Sequence, residues 1–63
     1  MKMTMKKVKN YDFGGGLVKD VYFVKVWDKY GDLVESNYAG DTREEAIQTK
    51  SNMKNNSYYL RFA

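Results

Sequence analysis

The chain has 63 residues, a net charge of +3, and neither cysteine nor histidine. This length predicts a single domain, residues 1–63, with little surplus stability, because folding at this size buries only about 60% of the unfolded surface. The missing cysteine and histidine exclude disulfides, thiolate nucleophiles, imidazole bases and the usual zinc or haem ligands. We therefore expect no enzyme activity, no cofactor and no metal site, and we expect a reducing compartment, the cytoplasm.

Charge is distributed unevenly along the chain. Residues 1–10 hold four lysines and no acid, residues 11–45 hold four bases and eight acids, and residues 46–63 hold three bases and no acid. The basic ends permit attraction to a polyanion, although the dense basic stripe of a committed nucleic-acid binder is missing. No apolar run approaches the roughly 18 residues that span a bilayer, so we expect neither a membrane segment nor a signal peptide.

Three strands are predicted in the first two thirds of the chain. The first covers residues 4–13 and ends at the glycine triplet 14–16, because glycine readily takes positive φ and is entropically costly in a regular element. Residues 17–28 are the most β-branched and aromatic stretch and predict the second strand. A short loop with Gly31 in the left-handed position leads to the third strand, "LVESNYA".

A helix is predicted next. Thr42 followed by Glu45 forms a capping box, and acidic residues near a helix start are favoured by the helix dipole, so the helix should begin at about Arg43. Asn55 and Asn56 supply a stop. The apolar stripe is narrow and comprises Ala46, Ile47, the stem of Lys50, and Met53.

The last seven residues, "SYYLRFA", alternate between two sides and predict a final strand. The whole pattern predicts an α+β fold in the order β-β-β-α-β. In this fold, a small antiparallel β-sheet of three to four strands has one α-helix packed on one face.

One helix covers only one face of such a sheet, and alternate side chains of a strand share a face. We expect the helix side to take Tyr22, Val24, Val26, Val34, Tyr38, Leu60 and Phe62. The opposite side would then present Phe23, Lys25, Trp27, Leu33, Tyr59 and Arg61. The swapped arrangement, with Val21, Phe23 and Trp27 inside, stays open, because a shift of one residue in register inverts every assignment.

The candidate binding surface is the side without the helix. Rings interleaved with cations suit single-stranded nucleic acid, since bases stack on rings while cations bind phosphates. The same rings could instead form a hot spot for a host protein, or pack within the fold or against a second copy. The residues predicted to bind nucleic acid or a partner are Phe23, Lys25, Trp27, Lys29, Tyr59 and Arg61, with Lys6, Lys7 and Lys9 near the N terminus.

Two further features resemble functional sites, but we interpret both as structural. The glycine triplet lacks the following Lys-Ser or Lys-Thr and the helix of a phosphate-binding loop, so it predicts a turn. The carboxylates around the second hairpin match no calcium-loop spacing, so we expect solvated charges there and no metal or acid/base site. They are Asp28, Asp32, Glu35 and Asp41.

A hairpin with a glycine turn, followed by a helix opened by threonine and glutamate as in "GDTREEAI", is similar in pattern to two families. These are the arm-type DNA-binding domains of tyrosine recombinases and the HicB-like antitoxins. The similarity covers residues 21–47 and rests on turn and capping residues. Because the open sheet face of the arm-type domains enters the DNA major groove, the resemblance implies that Lys25, Trp27 and Arg61 lie near DNA. This hairpin has fewer basic residues than that role favours.

We therefore expect a small non-catalytic binding module, of the lysine-, asparagine- and tyrosine-rich kind often met in phages or mobile elements. Three hypotheses stay open. Contact with nucleic acid predicts binding that falls steeply with salt, whereas an adaptor or inhibitor of a host protein predicts weak salt dependence. A homodimer, built face to face or through the terminal strand "YYLRFA", is compatible with either.

Overall fold

Three antiparallel strands, one α-helix and a short 3-10 helix make up the fold. This computed structural model describes residues 1–62. Its elements are β1 (Lys2–Gly14), β2 (Leu17–Trp27), β3 (Leu33–Gly40), α1 (Arg43–Lys54) and the 3-10 helix (Ser57–Phe62). The strands lie in the order β1-β2-β3, so β2 is central and the other two are edges. The predicted α+β class, with one helix on one face of a small sheet, is confirmed.

The glycine triplet closes the β1–β2 hairpin, as predicted. Gly14 pairs with Leu17, which leaves Gly15 and Gly16 as a two-residue loop. Both have positive φ, 60° and 80°. A type I′ hairpin turn requires this sign at both positions, and only glycine adopts it without steric cost.

A β-bulge in β1 changes which side its later residues face. The register with β2 shifts between Val8 and Tyr11. Within the bulge, Asn10 has a φ of 54°, and its N–H donates a 2.9 Å hydrogen bond to Asp20 Oδ1. Because of the extra residue, Tyr11 lies on the same side of the sheet as Val8, and not on the opposite side.

Helix α1 begins and ends where predicted. Thr42 Oγ1 accepts a hydrogen bond of 3.2 Å from the N–H of Glu45, which is the N-cap bond of the predicted capping box, and the Thr42 hydroxyl donates to Glu45 Oε1 at 3.3 Å. Asn55 caps the other end, and its N–H donates to the Ser51 carbonyl at 3.2 Å. The helix bounds are therefore fixed by contacts between near neighbours in sequence.

The core lies between the sheet and α1. Its buried residues are Met3, Val24, Val26, Ala39, Ala46, Met53 and Tyr59. Val24 and Val26 of the central strand have no exposed surface. Of the predicted helix stripe, Ala46 and Met53 are buried, but Ile47 is 44% exposed. The helix thus contributes few buried side chains.

The predicted final strand is wrong, because this segment forms the 3-10 helix; Ala63 lies outside the described residues. The Asn56 carbonyl accepts from the Tyr59 N–H at 3.1 Å, and Asn56 Oδ1 accepts from the Tyr58 N–H at 3.0 Å. Residues three apart share a side of a 3-10 helix, so Tyr59 is buried while Phe62 packs against the core. A local cap has replaced strand pairing here.

The helix-side assignment is correct for Tyr22, Val24, Val26 and Phe62. The swapped register is therefore wrong, although Val21 on the opposite side is also fully buried. It is wrong for Tyr38, which pairs with Phe23 on the other side, and for Leu60, which is exposed. Val34 lies at a register shift and is also exposed. Among the helices within residues 1–62, none is long and apolar enough to cross a membrane.

Gly40 is a position where any side chain should be costly. It has a φ of 131°, and a Cβ there would lie 2.5 Å from the Cβ of Glu45 in the first turn of α1. We expect Gly40→Ala to lower the free energy of unfolding by about 3 kcal/mol through backbone strain and overpacking. Urea denaturation followed by circular dichroism measures the change.

Gly31→Ala is the matched control. Gly31 also has positive φ, 85°, but a Cβ there would meet nothing within 4 Å. Gly31→Ala should lower the free energy of unfolding only by the cost of positive φ for a residue with a Cβ, about 1 kcal/mol. Equal losses in the two variants would contradict the close approach of Glu45 to Gly40.

Candidate nucleic-acid interface

The open face is the side of the sheet opposite α1. Alternation and register place on it Lys2, Thr4, Lys6 and Val8 of β1, Val21, Phe23, Lys25 and Trp27 of β2, and Leu33, Ser36 and Tyr38 of β3. No acidic residue occupies any of these positions. The face therefore combines aromatic rings with positive charge.

Three lysines cluster on the open face. Lys25 pairs with Thr4, so Lys2 and Lys6 are its diagonal neighbours on β1, at about 7–8 Å. Within residues 1–62 none of the three forms an ion pair. Like charges at this spacing repel each other, and a bound polyanion would relieve the repulsion.

Trp27 lies at one end of the open face and is partly exposed. Its Nε1–H lies 3.3 Å from Thr4 Oγ1, a hydrogen bond that holds the indole over β1. Beside the ring is an open depression of about 410 Å³ lined by Lys2, Trp27, Asp28, Lys29 and Gly31. The depression thus joins an aromatic face to two ammonium groups.

The carboxylate in this depression has a structural role. Asp28 Oδ1 accepts hydrogen bonds from the N–H of Tyr30 at 2.8 Å and from the N–H of Asp32 at 3.0 Å. These bonds close the β2–β3 loop as a side-chain turn. Asp28 therefore shapes the loop next to Trp27.

The β1–β2 hairpin extends past the end of β3. We call this extension, residues 10–20, the arm, and it lies at the other end of the open face. Its rings, Tyr11 and Phe13, contact two rings of the open face. The centroids of Tyr11 and Phe23 are 5.3 Å apart, and those of Phe13 and Tyr38 are 5.9 Å apart. Tilted and T-shaped pairs at these distances each add about 0.5–1.5 kcal/mol beyond area burial.

A polar contact fastens the arm to the start of α1. Lys19 Nζ lies 2.5 Å from Asp41 Oδ2 and 5.4 Å from the centroid of the Phe13 ring. The Tyr38 hydroxyl donates to the same carboxylate, which raises the pKa of Tyr38 to about 12. The hydrogen bonds from Lys19 and Tyr38 lower the pKa of Asp41.

Four of the predicted site residues lie together, and Lys29 borders them. Lys6, Phe23, Lys25 and Trp27 share the open face, and Lys29 lines the depression beside Trp27. Lys7 pairs with Tyr22 on the helix side, and Lys9 lies in the bulge.

The expectation that Tyr59 and Arg61 share the face of Trp27 is wrong. Tyr59 is buried among the core residues. Burial is the main cause that raises the pKa of its hydroxyl, and the nearby Glu35 carboxylate raises it further. Arg61 follows on the 3-10 helix, with its guanidinium 4.4 Å from the centroid of the Tyr58 ring. Since a 3-10 helix replaced the final strand, both residues lie across the sheet from Trp27.

Several residues of this surface were not predicted from the sequence. Lys2 and Thr4 lie opposite Trp27 and Lys25. Simple counting back from the glycine turn does not find these partners, because two register shifts intervene in β1. The arm rings and Tyr38 were missed for the same reason: each follows a shift in register.

Within residues 1–62, no group of three or more acidic side chains is placed to hold a metal ion. Neither a family model, nor a curated protein, nor a solved structure matches this chain.

The arm contact makes a pH-dependent prediction. Because Lys19 and Tyr38 both donate to the charged form of Asp41, its pKa in the folded chain lies below its value in the unfolded chain. The contact therefore stabilises the arm fully above the unfolded pKa of about 3.9, and this stabilisation is lost as pH falls through the folded pKa. The carboxyl carbon shift of Asp41, measured by NMR against pH, reports the titration.

Removing the Lys19 ammonium group tests whether it causes the lowered pKa of Asp41. Lys19→Met should raise the pKa of Asp41 toward its ordinary value. Lys29→Met is the control, because the Lys29 ammonium lies over Tyr30, 5.3 Å from its ring centroid. If Lys19→Met left the titration of Asp41 unchanged, Lys19 would not be the group that fastens the arm.

Proposed function

We propose that this chain is a small non-catalytic binding module that contacts single-stranded nucleic acid through the open face. The observation that carries the proposal is the arrangement of Lys2, Lys6 and Lys25 around partly exposed rings, on a face whose paired strand positions hold no acidic residue. Phosphate groups require the cations, and bases require the rings.

Single strands fit this surface better than a duplex. A ring such as Trp27 stacks only on a base whose own face is exposed, as in a single strand. Phe23 and Trp27 are four residues apart on β2, so two stacking positions are separated by roughly 13 Å along the strand. Lys25 lies between them on the same face, and in the proposed complex it would contact the intervening phosphate backbone.

A host protein is the alternative partner of the same surface. Tyr38 and Leu33, each 48% exposed, widen the apolar part of the open face and support this alternative. A homodimer that pairs through a terminal strand is not supported, because residues 57–62 form a 3-10 helix and not a strand. A face-to-face homodimer would bring two clusters of three lysines together, which charge repulsion disfavours. The cytoplasm remains our proposed location, on the ground that the chain has no cysteine.

Lys6 and Lys7, which are adjacent on β1 but lie on opposite sides of the sheet, test whether the open face binds nucleic acid. If three lysines contact phosphate, the logarithm of the affinity for a mixed-sequence oligonucleotide should fall with the logarithm of salt concentration, with a slope of about −2. Lys6→Gln should weaken binding about fivefold at about 0.1 M salt and reduce the slope by about 0.7. Anisotropy of a labelled oligonucleotide measures both.

Lys7→Gln is the control, since it removes the same charge from the next residue of the same strand but from the other side of the sheet. It should change the affinity much less. Equal losses in both variants would show that net charge, and not the open face, governs binding. Binding to a host protein with little salt dependence, and none to oligonucleotides, would support the alternative.

Stacking on Trp27 is tested separately. Trp27→Leu should weaken oligonucleotide binding by about 1–3 kcal/mol, the value of one stacked base. Tyr30→Leu removes a ring that is 78% exposed in the β2–β3 loop and should bind almost as the unchanged chain does. Circular dichroism would check that both variants fold. Unaltered affinity of a folded Trp27→Leu would remove the ring from the site.

A further inference from the structure

A second surface lies on the helix side of the sheet, along the β1 edge. There α1 overhangs β1, and an open groove of about 290 Å³ is lined by Met5, Ile47, Lys50, Ser51 and Lys54. The four helical residues recur three and four positions apart, so they form one face of α1. This edge groove has an apolar floor and a basic wall.

The charged side chains of the edge groove are all basic. Lys50 and Lys54 line the edge groove, and Lys7 lies on the same side of β1, two residues after Met5. No ion pair in the described part of the chain uses any of these three ammonium groups. A ligand in the groove would therefore meet two ammonium groups of α1 beside apolar side chains, with a third lysine farther along β1.

The adjoining strand is an unpaired edge. β1 bonds only to β2, so alternate N–H and C=O groups along its outer side are available to another strand. Lysines on an edge strand prevent two copies from pairing, because their charges would be brought together. Here they recur at Lys2, Lys6, Lys7 and Lys9. An acidic strand would meet no such repulsion.

We propose that the β1 edge and the edge groove bind an extended acidic segment of a partner protein by strand addition. The segment would pair with β1 through its backbone. Alternate side chains of a strand share a face, so its apolar residues would enter the groove against Met5 and Ile47. Its carboxylates would lie near Lys50 and Lys54.

The groove chemistry separates this site from the open face. No aromatic ring lines the edge groove, so bases have nothing to stack on there. The open face has the opposite composition, with several rings. This inference is independent of the proposed nucleic-acid contact, and each is tested by different lysines.

The probe is a synthetic octapeptide of alternating glutamate and valine, titrated into the whole chain and followed by NMR. Shifts of the backbone amides should concentrate on Met5, Ile47 and Ser51, and hydrogen exchange should slow along the outer edge of β1. The double variant Lys50→Gln/Lys54→Gln should weaken binding roughly tenfold, as expected for the loss of two exposed ion pairs. Lys25→Gln, on the open face, is the control and should bind the peptide as the unchanged chain does.

Four results would overturn the proposal. They are no binding of the peptide, shifts centred on β3 or on the open face, equal affinity of the double variant, and an oligonucleotide that competes with the peptide for the groove. A peptide with glutamine in place of glutamate should bind more weakly by a similar factor. If it bound equally well, charge complementarity would not be the cause.

Discussion

The sheet has two faces, and the described chain has one short helix to cover them. Helix α1 buries only Ala46 and Met53, so Tyr59 of the 3-10 helix is needed to complete the layer over Val24 and Val26. The described residues supply no second helical layer for the opposite face. The open face must therefore be stabilised by the side chains that it already carries.

Those side chains cover the open face in two ways. At one end, the bulge at Asn10 turns the arm so that Tyr11 and Phe13 contact Phe23 and Tyr38. Toward the other end, lysines of β1 and β2 lie beside the partly exposed ring of Trp27. The features that reduce exposure of apolar surface also leave rings beside cations. The proposed binding surface is thus a consequence of how a one-helix fold stabilises its second face.

The same strand serves two surfaces of different chemistry. Because side chains alternate along β1, Lys6 joins the rings of the open face while Lys7 lies on the side of the edge groove. Rings favour bases, whereas an unpaired edge beside an apolar groove favours an extended peptide. Net charge alone does not distinguish these surfaces, but their geometry does.

The sequence by itself determined the glycine turn, the bounds of α1, and the grouping of Phe23, Lys25 and Trp27 on one face. Each of these depends on near neighbours along the chain, through a turn, a cap or the alternation within one strand. Tertiary structure alone decided the bulge at Asn10, the placement of Lys2 across from Trp27, and the burial of Tyr59 in the core. Register between strands and the filling of a core depend on residues distant in sequence, which a local pattern does not contain.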